Sequence, residues 1–346
     1  MPATRILAAL MLFAAPAAFA ADPVPADRFD LSEWNITLPQ DDDGDGKADS
    51  VSVEDIQTYS HPDFFHLDSQ GRMVFTAPNK AVTTKNSSNT RSELRHMLRG
   101  TNTRHKTHGP MNNFAVEARK GSDRFARVGG RLSATLHVDH VAARAGEKTA
   151  RSAHSVVVGQ IHAVKMKDTR SGFGYGNEPI KIFYKKFPDH DFGSLFWTYE
   201  RNLPKDDKNR TDIAYPVFGN DWADKSEPGE AGIRLGEEFS YTINVHRNMM
   251  YLTFSSPRHG TKQFTKSLVT QHDAYGQIDE LDNLHSYGGD ALFFKAGAYN
   301  QCSTKTGGGL WYAGCPGSGD WAVDEANGDF ARVTFSRLEV GEATAP

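Results

Sequence analysis

The sequence predicts an all-β chain. Three observations carry this. From Phe29 onward the texture is constant, with short apolar or alternating segments separated by Gly, Asn, Asp and Pro. Long stretches of helical periodicity are missing. Hydrophobic residues make up 38% and charged residues 24% of the 346 positions, as in a folded soluble protein. Many short strands with frequent turns indicate a sandwich or jelly roll.

The N-terminus reads as an export signal. Arg5 is a short positive region, Ile6 to Ala17 is apolar, and Ala18-Phe19-Ala20 is a small-x-small cleavage site. Residues 1–20 are therefore expected to be a signal peptide and the mature protein to be secreted or periplasmic. The apolar run is shorter than the roughly 20 residues of a membrane span, so no membrane partner is expected. Residues 21–28 read as a flexible leader, and residues 29–341 as one catalytic domain.

Candidate strands follow in order: Met73–Phe75, Phe114–Ala118, Arg131–Val138, Ser155–Val164, Ile180–Phe187, Ser194–Tyr199, Phe239–His246, Met249–Ser255, Ala291–Tyr299 and Ala331–Val340. Short helices are expected near Val53–Tyr59 and Ser267–Asp273. Asp139–Arg151 and Pro204–Gly229 are candidate cleft loops, with Trp222 either stacking on a sugar or packing in the core.

The net charge of −4 argues against general nucleic-acid binding. Locally the balance reverses. Lys80, Lys85, Arg91, Arg95, Arg99, Arg104 and Lys106 face a single acid, Glu93, with His96, His105 and His108 in the same stretch. This is either a site for an anionic ligand or a solvated basic face. The cysteine pair, Cys302 and Cys315, suggests one disulfide in an exported protein.

Asp41, Asp43, Asp45 and Asp49 fall at positions 1, 3, 5 and 9 of a calcium-loop pattern, with Gly46 at position 6. Position 12 is Ser52 rather than a bidentate glutamate, so the loop is either a structural calcium site or a solvated turn.

Three segments carry chemistry. Residues two apart share a face of a strand. Arg91, Glu93 and Arg95 then lie on one face, with Ser92, Leu94 and His96 on the other. Paired arginines bind carboxylates, although a surface ion-pair ladder has the same pattern. Gln160 and His162 share a face while Ile161 points to the core. An amide beside an imidazole suits carboxylate binding with proton transfer. Lys295, Gly297, Tyr299 and Gln301 share a face opposite Phe294, Ala296 and Ala298. Gly297 either leaves room for a ligand or marks a bulge.

Together, Arg91-Ser92-Glu93-Leu94-Arg95, Gln160-Ile161-His162 and Phe294-Lys295-Ala296-Gly297-Ala298-Tyr299-Asn300-Gln301 resemble the motifs of polysaccharide lyase family 7, in the family's order. The opening Phe29-Asp30-Leu31-Ser32-Glu33-Trp34-Asn35-Ile36-Thr37-Leu38-Pro39 is also similar to that family's first strand. Phe293 stands where the family usually has Tyr. Cys302 and Cys315 are similar to a pair in some members. The chain is longer than the compact members, which implies extended loops. Ile161 leans toward guluronate-containing substrates.

The resemblance implies a jelly roll of two antiparallel sheets with a concave substrate cleft, acting as a monomer on the anionic polysaccharide alginate. It implies β-elimination without a required cofactor. Arg91 and Gln160, helped by His162, would neutralise the uronate carboxylate. Tyr299 would protonate the leaving oxygen and serve as base on mannuronate; His162 would be the base on guluronate. Arg95 and Lys295 would be the cations beside Tyr299 and, with Gln301, would hold neighbouring uronates. Glu93 would orient the arginines. The competing readings are a glycoside hydrolase, a lectin-like binding protein, and a lyase for another polyuronate such as glucuronan. The hydrolase needs a pair of carboxylates flanking the bond, and the arginines around Glu93 suit a general acid poorly.

Overall fold

In the computed structural model, residues 22–145, 151–166, 174–305 and 313–346 are described. The expected signal peptide lies outside them. Among the described residues two β-sheets form a sandwich, and no helix is long and apolar enough to cross a membrane.

The first sheet runs Asp212–Phe218, Ser194–Glu200, Ile180–Lys185, Ser155–Ala163, Ala291–Ser303, Asn89–His96, Trp34–Thr37 and Ser50–Val51. The second runs Gly260–Ser267, Met249–Ser256, Phe239–His246, Gly130–His140, Phe330–Gly341, Met73–Pro78 and Phe65–Leu67. Neighbours along both paths pair antiparallel; short parallel pairings join Cys302 to Ala313 and Phe114 to Arg127. All ten expected regions contain a strand: Phe239–His246 matches end to end, Phe114–Ala118 keeps only Phe114–Ala115, and the others have shifted ends.

The core lies between the sheets. Leu94, Val158, Ile161, Phe294, Ala296 and Ala298 from the first meet Phe75, Leu132, Leu136, Ile243 and Phe335 from the second. Each fully buried aliphatic or aromatic side chain contributes about 1.5–3 kcal/mol. Tyr241 reaches across and donates to the Val158 carbonyl at 3.0 Å. A Cβ on Gly159 would meet that hydroxyl at 2.4 Å, so only glycine fits between Val158 and Gln160.

Several expectations are corrected. Pro25–Asp27 is a 3-10 turn with Pro25 buried, so the expected flexible leader is docked there. The short helix expected near Val53–Tyr59 is present, as a 3-10 helix at Asp55–Thr58. Ser267–Asp273 is not helical: Ser267 ends a strand, and its hydroxyl accepts from the Val269 and Thr270 amides. A helix forms instead at Trp321–Ala326, where the Asp320 carboxylate accepts from the Val323 amide. Six strands were not foreseen: Asp212–Phe218, Gly260–Ser267 and the short Ser50–Val51, Phe65–Leu67, Arg127–Val128 and Ala313–Gly314. Asp212–Phe218 and Gly260–Ser267 are each an edge of their sheet.

Candidate active site

A cleft of about 860 Å³ opens over the first sheet. Its floor comes from the middle strands, whose side chains alternate between core and cleft. Arg91, Gln160, His162, Tyr299 and Gln301 all line it. The pairing of strands explains their convergence. Tyr299 lies opposite Arg91 on one side, and Phe293 lies opposite His162 on the other.

Glu93 is the hub beneath the floor. It is 2% exposed and accepts from three groups: Arg91 Nη1 at 2.9 Å, Gln160 Nε2 and Lys295 Nζ. Burial alone would raise its carboxyl, but Lys295 and Arg91 outweigh burial and lower it. Two cations share one carboxylate, which leaves a positive charge under the cleft. Arg91 also donates to Ser87 Oγ at 3.1 Å, and its guanidinium lies over the Tyr299 ring, 4.0 Å from the centroid. The Tyr299 hydroxyl is 3.3 Å from Ser87 Oγ. His162 faces two acceptors, the Ala163 carbonyl at 2.7 Å and Glu178 at 3.1 Å.

Two expected substrate residues lie elsewhere. Arg95 donates to the carbonyls of His96 and Thr107 and to Asn113 Oδ1, and stacks over Phe293 at 4.0 Å. It braces the loop after its strand rather than the cleft. Lys295 is buried on Glu93 and is not a wall residue. The cation beside Tyr299 is therefore Arg91, with Lys295 farther away at 5.8 Å, and Glu93 orients Arg91 and Lys295 but not Arg95. Gly297 makes no space for a ligand. Its φ is +137°, and a Cβ there would sit 2.6 Å from the Ser92 carbonyl oxygen, beside a register shift between Ala296 and Tyr299.

Sequence reasoning missed Ser87, Glu178, Lys181 and Glu200, all of which line the cleft. The polar run Asn86-Ser87-Ser88-Asn89 before the Arg91 strand was the one local signal for Ser87. Lys205, Arg210, Asp212 and Trp222 place part of the expected Pro204–Gly229 loop on the wall, although Trp222 is mainly packed against Phe183 and Phe196. Of Asp139–Arg151, residues 146–150 lie outside the described set.

A family profile described as alginate lyase matches residues 29–342. An alginate lyase of Klebsiella pneumoniae is 37% identical over 310 residues, covering 87% of this chain and 91% of that protein. The chain belongs to the family 7 alginate lyases. The crystal structure of a Klebsiella pneumoniae alginate lyase superposes with a TM-score of 0.72 at 30% identity, covering 93% of this chain and 99% of that one. The exolytic family 7 lyase AlyA5 of Zobellia galactanivorans gives 0.73 at 35%, with coverage of 93% and 99%. This alginate lyase therefore cleaves its polymer by β-elimination, the chemistry of the family.

Away from the cleft, Cys302 and Cys315 form a disulfide in the lyase. It closes the end of the strand that carries Tyr299 and Gln301. Asp41, Asp43 and Asp49 each offer an oxygen within 4.8 Å of the others, while Asp45 is paired with Lys47 at 2.5 Å. None of these aspartates lines the cleft.

Proposed function

We propose that the lyase degrades alginate outside the cytoplasm, as a monomer, with Arg91, Gln160, His162 and Tyr299 at the reacting uronate. The observation that carries this is the Glu93 hub, which points Arg91 and Gln160 at one place beside Tyr299. A carboxylate bound there is neutralised, so the electron pair released when C5 loses its proton can be stabilised. The C4–O4 bond then breaks as the C4=C5 double bond forms. Tyr299 gives its proton to O4. On mannuronate Tyr299 first takes the C5 proton as phenolate; on guluronate His162 takes it. Gln301 holds a neighbouring sugar.

Side chains supply the neutralising charge, so no step is routed through a metal. Chelation is expected to leave the rate unchanged, and any calcium held by the Asp41 loop would act on stability alone. The reading is tested with Tyr299→Phe. The ultraviolet-absorbing unsaturated product should form about 10²–10⁴-fold more slowly from alginate, the range for loss of a general acid or base. An unchanged rate overturns the assignment.

A further inference from the structure

The Ser87 hydroxyl touches more groups than an anchoring serine needs. Ser87 is half-buried in the cleft wall, on the loop before the Arg91 strand. Its Oγ accepts from Arg91 Nη2 at 3.1 Å and from the Asn89 amide at 3.1 Å. A hydroxyl oxygen has two lone pairs, so both are in use. Two oxygens lie within reach of its one proton: the Asn89 carbonyl at 3.2 Å and the Tyr299 hydroxyl at 3.3 Å. No acceptor position on Ser87 is left for the Tyr299 proton. Toward Tyr299, Ser87 is therefore the donor.

The loop is pinned so that this contact persists. The Ser87 amide donates to the Thr84 carbonyl at 2.9 Å, and Thr83 Oγ1 donates to the Ser87 carbonyl at 2.9 Å. The Ser88 carbonyl accepts from the Thr304 amide at 2.7 Å and from Thr304 Oγ1 at 3.0 Å. Asn89 Nδ2 donates to the Asn300 carbonyl at 3.0 Å, and Asn89 is the register partner of Ser303. Asn300 and Ser303 belong to the strand that carries Tyr299, so the loop and the phenol are held as one piece.

A hydroxyl with one proton and two acceptors gives it to the more negative of them. A hydrogen bond to an ionised oxygen is about twice as strong as one to a neutral oxygen, so a phenolate draws the proton away from a peptide carbonyl. The reaction makes Tyr299 a phenolate at some stage on either substrate. It is one before it takes the C5 proton of mannuronate, and it becomes one after giving its proton to O4.

We propose that Ser87 is a positioning residue for Tyr299: its hydroxyl turns from the Asn89 carbonyl to the Tyr299 oxygen whenever that oxygen is charged. When Tyr299 is neutral, its own proton finds no acceptor on Ser87 and is left free for O4. Ser87 keeps its proton throughout, and only Tyr299 exchanges one with the sugar, so the balance of the elimination is unchanged. This rests on the role given to Tyr299 under Proposed function.

The experiment measures kcat and KM on alginate for the full chain, Ser87→Ala, Ser87→Thr, Tyr299→Phe, and Ser87→Ala combined with Tyr299→Phe, each per folded protein. Ser87→Ala should lower kcat about 10–100-fold, the size of one hydrogen bond to a charged group, and leave KM nearly as it was. Ser87→Thr keeps the hydroxyl and should recover most of that loss. In Tyr299→Phe there is no oxygen for Ser87 to serve, so adding Ser87→Ala should cost nothing further. Full kcat in Ser87→Ala, a loss confined to KM, or a threonine no better than alanine overturns the proposal. So does a loss that repeats in the Tyr299→Phe background, which would mean that Ser87 acts through Arg91 instead. If Tyr299→Phe keeps the full rate, the reading of the site has failed. If Tyr299→Phe is slowed as expected and Ser87→Ala is not, only the role of Ser87 has.

Discussion

The Arg91 guanidinium covers the Tyr299 ring at 4.0 Å while its Nη1 donates to Glu93 at 2.9 Å. One side chain thus ties the catalytic phenol to the buried hub. A planar fork can stack and donate at once; an ammonium cannot. Arg91→Lys keeps the charge but loses either the stacking or the bonds to Glu93 and Ser87. We expect kcat/KM on alginate to fall about 10²–10³-fold, as when one donor to a developing oxyanion is removed. Steady-state kinetics check this, and a fall of less than about threefold would show that the stacked geometry is immaterial.

Lys295 gives a pH dependence. Burial, then the neighbouring Arg91, brings its ammonium down to about 8 in spite of Glu93. It is charged below that value and neutral above it. Because the folded value is depressed from 10.5, its contribution to stability is full above 10.5 and is lost as the pH falls through about 8. Activity runs the other way. Above pH 8 the hub loses a cation, Glu93 pulls harder on Arg91, and the positive charge under the cleft disappears. We expect kcat/KM to decline above about pH 8. In Lys295→Arg the charge persists, so that alkaline limb should move up even if the overall rate is lower. A limb at the same pH in both proteins would assign it to another group.

The disulfide ties the strand that carries Tyr299 and Gln301. Cys302 and Cys315 are 13 residues apart, and closing a loop of that size contributes roughly 3 kcal/mol in the chain-entropy account. Reduction should lower Tm by several degrees and weaken substrate binding through Gln301, the neighbour of Cys302. The check is a melt and a KM measurement with and without reductant. A lowered Tm with unchanged KM would confine the bond to stability.

Strand alternation made much of the floor legible. It separated Lys295, Tyr299 and Gln301 from Phe294, Ala296 and Ala298, and Gln160 and His162 from Ile161, because the period of two is local. It did not say which polar residue meets which. Lys295 and Arg95 both carry charge on the cleft side of neighbouring strands, yet only Lys295 reaches Glu93; strand pairing decides this, and it joins residues far apart in sequence. Lys181 and Glu200 were hidden for the same reason: each is an ordinary charged residue until strand pairing aligns it, and Glu178 lies just before the Lys181 strand. The missed edge strands conceal themselves differently. Asp212–Phe218 contains Pro216, which an edge tolerates, and Gly260–Ser267 is polar and largely exposed, with Lys262 on it.

Gly297 was read as space for a ligand or as the mark of a bulge, and the structure favours the backbone reason. At φ +137° an L side chain is strained, and a Cβ would stand 2.6 Å from the Ser92 carbonyl oxygen and 2.9 Å from Glu93 Cα. Both contacts are with backbone of the adjacent strand, which cannot rotate away. Gly297→Ala must therefore push the Tyr299 strand off the Glu93 strand, where Gly297 and Glu93 are register partners. We expect a stability loss of about 3 kcal/mol, the upper part of the range for single strained or overpacked positions. Because the same shift moves Tyr299 relative to Arg91, the folded fraction should also lose kcat more than it gains in KM. Denaturant titration together with kinetics on the folded protein measures both. A variant of normal stability and full kcat would mean that the two strands are not in the close contact described, and the account of how Glu93 and Tyr299 are positioned would fall with it.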